Sequence, residues 1–349
     1  MSFFTSSSKR KSDNASMEEE TSQLQDDKFI SWVSSTYPKH KSGAIYTESL
    51  NSRVQDVIQI LKQSKCPLLL GIWGMPGIGK TTIADAIYDQ IAPYFEDTCF
   101  LKNVRSLVKY ETLVYLQEKF LFDIDKATEI NISTIESGKL ILKERLQGKR
   151  VLLVLDDVDK LEQLNALYGS LEWFGEGSKI IITTRDRKLL KEHGVVHIYK
   201  MKELDESDSF ELFNLKAFNK ATPPEGYAQL SRQVFAYSGG LPLALGEIGT
   251  FLFGRTVNAC KSYLEKLKVI PKNNVQRLLE DSFNDLSGKE KQIFLDIAYL
   301  FIGRNQDDVL QALNRSTPSA ALQISLLKDK CFLTIDENNN LQVHVLLQA

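Results

Sequence analysis

A phosphate-binding loop that directly follows an apolar segment constrains the fold of this chain more than any other feature. Residues 68–73, Leu-Leu-Leu-Gly-Ile-Trp, read as a buried strand, and Gly-Met-Pro-Gly-Ile-Gly-Lys-Thr follows at residues 74–81. Glycines let the loop turn its backbone N–H groups inwards around a polyphosphate, and the next helix points its positive end at the same anion. The sequence therefore predicts a nucleotide site at this turn.

The loop residues have different predicted roles. Lys80 adds a mobile cation for the phosphates, and the hydroxyl of Thr81 is a ligand for Mg²⁺. The residues predicted from the motif to bind the nucleotide are Gly74, Gly77, Ile78, Gly79, Lys80 and Thr81.

A second apolar segment, residues 151–155, ends in two acids. Asp156 can hold Mg²⁺ through water opposite Thr81, and Asp157 can orient or deprotonate an attacking water. Alone, such a pattern is more typical of a strand that ends in a turn. Together with a complete phosphate-binding loop, it predicts the second half of a nucleotide site, with Thr81 and Asp156 as metal ligands and Asp157 as a catalytic residue.

A third strand pattern, residues 179–183, also has polar residues at its carboxyl end. Arg185 is the candidate sensor there, because a guanidinium can pair with a terminal phosphate and so distinguish two phosphates from three. It is accordingly predicted to be both catalytic and nucleotide-binding. An ion pair between Arg185 and a nearby acid at the start of a helix explains the sequence equally well.

Strands and helices alternate over residues 48–205, which predicts an α/β fold with a mostly parallel sheet covered on both faces. The predicted strands are residues 68–73, 98–104, 150–155, 179–183 and 197–201. Residues 206–283 turn helical, and Pro242 stands near the start of a helix that follows two glycines. Residues 284–349 offer helices and then a hairpin of residues 331–335 and 341–345, as in a winged-helix domain. His344 ends this hairpin, where most histidines are ordinary core or surface residues.

Charge and hydropathy exclude several classes of function. The 43 basic and 45 acidic residues give a net charge of −2, so no polycationic character indicates nucleic acid or an anionic membrane. The apolar runs are shorter than the roughly 20 residues that span a bilayer, and residues 1–8 lack the apolar core of a signal peptide. A cytoplasmic protein is therefore expected.

The first 47 residues are predicted to lie outside the folded domains. Residues 1–28 are polar and are predicted to be a disordered tail, and residues 29–47 a linker. Lys9-Arg10-Lys11 is compatible with nuclear import, although three basic residues are more often part of a solvated tail.

Several motifs in one order resemble the NB-ARC module of plant intracellular NLR immune receptors. They are GMPGIGKTT at residue 74, LVLDDV at residue 153, IIITTRD at residue 180, GGLPLAL at residue 239, IFLDIA at residue 293 and VHV at residue 343. The sequences LDDVD at residues 155–159 and FLDIA at residues 294–298 resemble the TIR-class branch. The similarity runs from about Glu48 to the end of the chain.

The resemblance implies a signal-transducing ATPase of the STAND group, with a P-loop NTPase sheet, a helical ARC1 subdomain and a winged-helix ARC2 domain. ADP would hold the three parts closed, and exchange for ATP would release ARC2 and permit self-association or assembly with other receptor chains. By the family pattern, Pro242 would lie against adenine and His344 against the β-phosphate of ADP. Thr82 would join Lys80 and Thr81 around the phosphates, and Arg185 would lie near the third phosphate. Hydrolysis would be slow and would reset the switch.

The chain departs from the family pattern in two ways. The usual Met-His-Asp triplet is Val343-His344-Val345 here, so the acid that helps to fix the histidine loop is missing. We hypothesise that this weakens the closed ADP state. The sequence also lacks patterns for a TIR domain before the module and for leucine-rich repeats after it, so we expect no NAD-cleaving activity. A truncated adaptor or decoy that binds nucleotide without switching is the alternative function.

Overall fold

The computed structural model describes residues 47–125, 131–269, 274–314 and 319–348. The predicted tail, residues 1–28, and all of the predicted linker except Thr47 lie outside these residues. The described chain combines a five-stranded parallel sheet with its helices, a run of further helices and a small two-stranded hairpin.

The sheet has the strand order β2-β3-β4-β1-β5, and every neighbouring pair is parallel. Its strands are β1 (Leu68–Trp73), β2 (Asp97–Leu101), β3 (Val151–Val158), β4 (Lys179–Thr184) and β5 (His197–Lys200). All five predicted strands are confirmed in place. Because β4 lies between β1 and β3, its carboxyl end stands between the phosphate-binding loop and the two acids.

Two strand ends differ from the prediction. The strand predicted to reach Val104 stops at Leu101, because Asn103 has a left-handed backbone (φ 55°) and a helix begins at Val104. Strand β3 continues past both acids to Val158, with an irregular register between Leu155 and Val158. The acids thus lie on an irregular strand end.

In the described residues, one α-helix precedes β1 and six more lie between the strands. They are α1 (Glu48–Lys62), α2 (Lys80–Ile91), α3 (Val104–Tyr110), α4 (Leu113–Ile124), α5 (Ile135–Leu146), α6 (Leu161–Leu167) and α7 (Arg187–Glu192). Strand β3 shows how the sheet is covered on both faces. Val151, Leu153 and Leu155 pack in one hydrophobic cluster, and Leu152 and Val154 pack in another. This alternation is the two-residue period of a strand that is buried on both sides.

The next five α-helices in the described part of the chain are α8 (Glu206–Phe218), α9 (Ala228–Ser238), α10 (Pro242–Leu252), α11 (Val257–Val269) and α12 (Asn274–Asn284). Pro242 occupies the first turn of α10, as predicted, since proline has no N–H to lose there. Helices α8 to α11 share a cluster around Phe213 and Ile248, whereas Val275 and Leu279 of α12 pack with the sheet. Helix α12 therefore packs against the sheet.

The last part contains α13 (Gly288–Asp296), a π-helical turn (Ile297–Phe301), α14 (Gln306–Asn314), α15 (Ala320–Asp329) and a hairpin of β6 (Thr334–Ile335) and β7 (Leu341–Gln342). These elements share their own hydrophobic cluster. The predicted hairpin is present, but each strand is shorter than predicted. Cys331 has a left-handed backbone (φ 62°) and Val345 begins a 3₁₀ turn, so neither residue continues a strand.

The part after α12 contacts the sheet directly. The indole N–H of Trp73 donates to the carbonyl of Asp329 at 2.8 Å, and the carboxylate of Asp329 pairs with Lys191 at 3.0 Å. The predicted ranges 48–205, 206–283 and 284–349 stay predictions as domain boundaries. Within the described ranges, no helix has both the length and the apolar character that a membrane span requires.

Candidate nucleotide-binding site

The backbone of the phosphate-binding loop depends on two glycines. Gly77 and Gly79 have φ values of 79° and 95°, in the left-handed region that favours glycine. A Cβ at Gly77 would also lie 3.0 Å from Cβ of Leu243, which is tighter than an ordinary contact. Gly79 is the N-cap of α2, so the positive end of this helix opens at the loop.

Lys80 is buried at the start of α2, with 7% of its surface exposed. Its Nζ donates to the carbonyl oxygens of Gly74 and Met75, at 2.8 and 2.9 Å. Burial lowers the pKa of Lys80 from 10.5 to about 8, and the nearby positive charge of Arg185 contributes to the same shift. A polyphosphate at the loop would give this ammonium group an anionic partner.

Asp156 lies at the carboxyl end of β3 and is 3% exposed. Its Oδ1 accepts hydrogen bonds from the hydroxyls of Thr81 (2.8 Å) and Thr183 (2.7 Å), and its Oδ2 accepts from the backbone N–H of Asn103 (3.4 Å). A hydroxyl and a carboxylate this close together form an oxygen donor set of the kind that Mg²⁺ prefers. Both predicted metal ligands therefore meet at one point.

Arg185 and Asp157 form an ion pair beside these residues. Nε and Nη2 of Arg185 donate to the two carboxylate oxygens of Asp157 at 3.0 and 3.2 Å, and Nη1 donates to the hydroxyl of Ser282 at 2.8 Å. Asp157 has a left-handed backbone (φ 53°), which accompanies the irregular register of β3. The structure thus contains the ion pair that was one interpretation of Arg185, although the acid lies near the end of β3 and not at the start of a helix. The roles of Arg185 as sensor and Asp157 as catalytic residue stay predictions.

A cavity of about 1150 Å³ opens at the loop. The predicted site residues that line it are Gly77, Ile78, Gly79, Lys80, Thr81, Thr82, Asp156, Asp157, Arg185 and Pro242. Residues of α1, α8 and α10 continue the wall beyond the phosphate end, among them Leu50, Leu212 and Leu243. The cavity thus joins a polar end at the loop to a more apolar end beside Pro242, as a nucleotide requires.

His344 lies elsewhere. Its Nε2 is 3.2 Å from the carbonyl oxygen of Gly239, and its Nδ1 accepts from the backbone N–H of Leu346 at 3.2 Å. With Nδ1 as acceptor, Nε2 carries the proton, and burial lowers the pKa of His344. Of the predicted site residues, Gly74 and His344 do not line the cavity. In this arrangement the imidazole contacts the turn before Pro242.

Sequence reasoning missed three residues that hold the site together. Thr183 is fully buried, donates to Asp156 and accepts from the backbone N–H of Asp157 at 2.9 Å. Its position at the carboxyl end of a predicted strand was a usable signal. The backbone N–H of Asn103 and the hydroxyl of Ser282 gave no signal, because they come from segments whose positions depend on tertiary packing.

Comparison with known proteins identifies two domains. The NB-ARC domain model matches residues 50–222, and the winged-helix domain model of Roq1-like disease resistance proteins matches residues 287–349. A Walker-type ATPase of Pyrococcus abyssi has a similar fold, with a TM-score of 0.58 and 14% identity over 90% of this chain and 97% of that chain. At this identity, the likeness shows the fold alone.

Plant disease resistance proteins are similar in sequence. Disease resistance protein RUN1 of Vitis rotundifolia is 37% identical over 301 residues, which are 86% of this chain and 22% of that protein. TMV resistance protein N of Nicotiana glutinosa is 37% identical over 287 residues, which are 80% of this chain and 25% of that protein. The chain therefore spans a quarter or less of the length of these relatives. It belongs to the NB-ARC family and carries the NB-ARC and winged-helix domains of plant disease resistance proteins of the TIR class.

Proposed function

We propose that this chain is an adenine-nucleotide switch of the STAND class in plant defence signalling, off with ADP and on with ATP, with slow hydrolysis at most. The supporting observation is the convergence of Lys80, Thr81 and Asp156 at one end of a cavity large enough for a nucleotide. A phosphate-binding loop and a strand-end acid joined by a 2.8 Å hydrogen bond are the essential parts of a nucleotide-triphosphate site.

The residues fit the proposed ligand from end to end. The N–H groups of the loop and the ammonium of Lys80 would hold the phosphates, with Thr82 beside them at the start of α2. Pro242 and Leu243 would pack against the adenine ring at the apolar end of the cavity. His344 would reach the β-phosphate of ADP only after leaving Gly239.

Thr81 and Asp156 would hold Mg²⁺ between them, since both offer oxygen and both line the cavity. When bound, the ion would neutralise the charge of the phosphate oxygens. The buried hydroxyl of Thr183 keeps the carboxylate of Asp156 in place through its 2.7 Å hydrogen bond.

The pairing of Asp157 supports slow hydrolysis. Both of its carboxylate oxygens accept hydrogen bonds from Arg185, so the group is oriented towards Arg185 and not towards an attacking water. Hydrolysis would require Arg185 to leave Asp157 first. A switch benefits from this delay, because the ATP state would persist long enough for other receptor chains, or further copies of this chain, to assemble.

The second candidate function is a non-switching adaptor or decoy that binds nucleotide for stability and associates with full-length receptors. One observation favours it: His344 contacts Gly239 and does not line the cavity. A histidine held there would not report on the nucleotide. In either role we propose a cytoplasmic protein, with the nucleus as a second possible location.

One experiment distinguishes the two functions. Mass spectrometry would identify the nucleotide that copurifies with the protein, and light scattering would give the oligomeric state with ADP and with ATP, for the wild type and Lys80→Ala. Assembly that requires ATP and is lost in Lys80→Ala supports the switch. Assembly that is the same in every sample supports the adaptor. Folded wild-type protein without adenine-nucleotide binding would refute both.

A further inference from the structure

The carboxyl-terminal end of α12 is joined to the end of β3 by two arginines. Arg185 contacts Asp157 on β3 and Ser282 on α12. Arg105, at the start of α3, lies 3.6 Å from the carboxylate of Asp159 and also pairs with Asp285. Each arginine thus links an acid that follows the metal-binding aspartate to a residue in the last turn of α12 or just after it.

Ser282 is well placed to control the orientation of Arg185. The residue is 7% exposed, and its hydroxyl donates to the carbonyl of Leu278 at 2.9 Å while it accepts from Nη1 of Arg185 at 2.8 Å. The single proton of the hydroxyl takes part in the bond to Leu278 within the helix, so the hydroxyl oxygen can only accept from the guanidinium. Because the helix fixes the direction of this hydroxyl, Ser282 holds one edge of Arg185.

A guanidinium has two edges that can bind an oxyanion through two parallel hydrogen bonds. The edge formed by Nε and Nη2 is taken by Asp157. The edge formed by Nη1 and Nη2 is partly taken by Ser282. A third phosphate that binds this second edge through two hydrogen bonds competes with Ser282, because the bond to Ser282 fixes the direction in which Nη1 donates. The neutral hydroxyl is the weaker partner, because a hydrogen bond to a charged acceptor is about twice as strong.

The space around Arg185 allows this exchange. Arg185 and Asp157 line the nucleotide cavity and also a second cavity of about 260 Å³, whose wall includes Arg105, Ser282 and Asp285. The side chain of Arg185 therefore stands in the wall between two open spaces. The two cavities leave open space on either side of this side chain.

We propose that Ser282 is a positioning residue that sets the preference for ADP over ATP, with the Arg105–Asp285 pair as its support. This rests on the proposed nucleotide switch and deepens it. A third phosphate draws Arg185 away from Ser282, and the end of α12 is then held to the sheet by one arginine in place of two. Ser287, which caps α13, follows five residues later. A movement of the end of α12 would therefore also move the start of the winged-helix part.

Replacement of Ser282 tests this proposal in the whole chain. Ser282→Ala removes the acceptor, and Ser282→Thr keeps it. The alanine suits a helix interior slightly better than serine, so α12 should remain folded, which circular dichroism would verify. We expect ATP to bind about fivefold more tightly to Ser282→Ala than to the wild type, with the affinity for ADP unchanged within about twofold. The threonine variant should behave as the wild type.

A second variant leaves the buried part of α12 untouched. Asp285 is 56% exposed, and Asp285→Asn should shift the ATP-to-ADP affinity ratio in the same direction by about twofold. Lys139→Ala, which breaks the exposed pair with Glu136 far from the site, is the matched control.

Titration calorimetry with ADP and ATP would measure these affinities. If the ratio in Ser282→Ala stays at the wild-type value, while the wild type binds both nucleotides and Lys80→Ala binds them far more weakly, the role of Ser282 is overturned and the nucleotide site stands. A wild type that binds no nucleotide overturns the proposed function and this inference together.

Discussion

The hydroxyl of Thr81 donates a hydrogen bond of 2.8 Å to Oδ1 of Asp156, although the two residues are 75 positions apart in the chain. The bond joins the start of α2 to the end of β3 across the carboxyl edge of the sheet. Strand β4 stands between them and contributes Thr183, which donates to the same oxygen at 2.7 Å. Three chain segments thus fix one carboxylate at the phosphate end of the cavity.

Loss of the ammonium group at residue 80 should strongly weaken nucleotide binding. Lys80→Ala removes the cation proposed to face the phosphates, and we expect ADP to bind about 100-fold more weakly, as for the loss of a strong charge-assisted contact. Circular dichroism would verify that the variant is folded, because it also loses the hydrogen bonds from Nζ to the carbonyls of Gly74 and Met75. Titration calorimetry would measure the affinity, with Lys139→Ala as control. An affinity within about threefold of the wild type would contradict the assigned role.

The affinity for ADP should fall at alkaline pH. The pKa of Lys80 is lowered by burial to about 8, so the free protein loses this proton above about pH 8. A bound polyphosphate favours the ammonium form, and binding therefore takes up a proton in this range. We expect the dissociation constant to rise between about pH 8 and 9.5 with a slope that approaches about tenfold per pH unit, and Lys80→Ala to show no such rise. A constant affinity over this range in the wild type would rule the mechanism out.

Asp157 offers a direct test of slow hydrolysis. Asparagine tolerates the left-handed backbone at this position, so Asp157→Asn removes the charge without a backbone penalty. If the carboxylate accepts a proton from water during hydrolysis, single-turnover ATP hydrolysis should slow by at least about tenfold, while ADP affinity stays nearly constant. Glu162→Gln, an exposed change in α6, is the control. Unchanged hydrolysis would show that Asp157 only orients Arg185.

The sequence was sufficient to predict the sheet and the contact between its phosphate-binding loop and the end of β3. Residues 68–73 are apolar throughout because β1 is buried on both faces, and a glycine-rich loop ending in Lys80 and Thr81 after such a strand is typical of a phosphate-binding turn. The meeting of Thr81 and Asp156 also followed from the sequence, since the carboxyl ends of parallel strands lie at one edge of a sheet.

Contacts between distant segments were not predictable in the same way. Ser282 lies 97 positions after Arg185 in an ordinary helical pattern, and no periodicity indicates which helix end faces a strand end. The hairpin was predicted too long because Cys331 has a left-handed backbone. Cysteine rarely adopts this conformation, so the sequence does not indicate it. The contact of His344 with Gly239 likewise depends on how the last turn of the chain packs.

The residue after His344 should determine how firmly ADP is held. Val345 packs against the turn that precedes Pro242, since a Cβ added at Gly239 would lie 2.7 Å from both Cγ1 of Val345 and Nε2 of His344. The family pattern implies an acid here that fixes the histidine loop. Because Val345 is 40% exposed, we expect the missing hydrogen bond to cost about 0.5 to 1.5 kcal/mol.

We therefore expect Val345→Asp to slow the dissociation of ADP by about fivefold or more. The carboxylate would oppose the effect of burial, which lowers the pKa of His344, and would favour an ordered imidazole near the turn. Val345→Asn, of similar size but without charge, separates the effect of charge from that of shape. Release of a fluorescent ADP analogue would give the rates. Equal retention of ADP by the wild type and Val345→Asp would mean that the missing acid does not weaken the closed state, and the triplet Val343-His344-Val345 would then be a neutral variant of the family pattern.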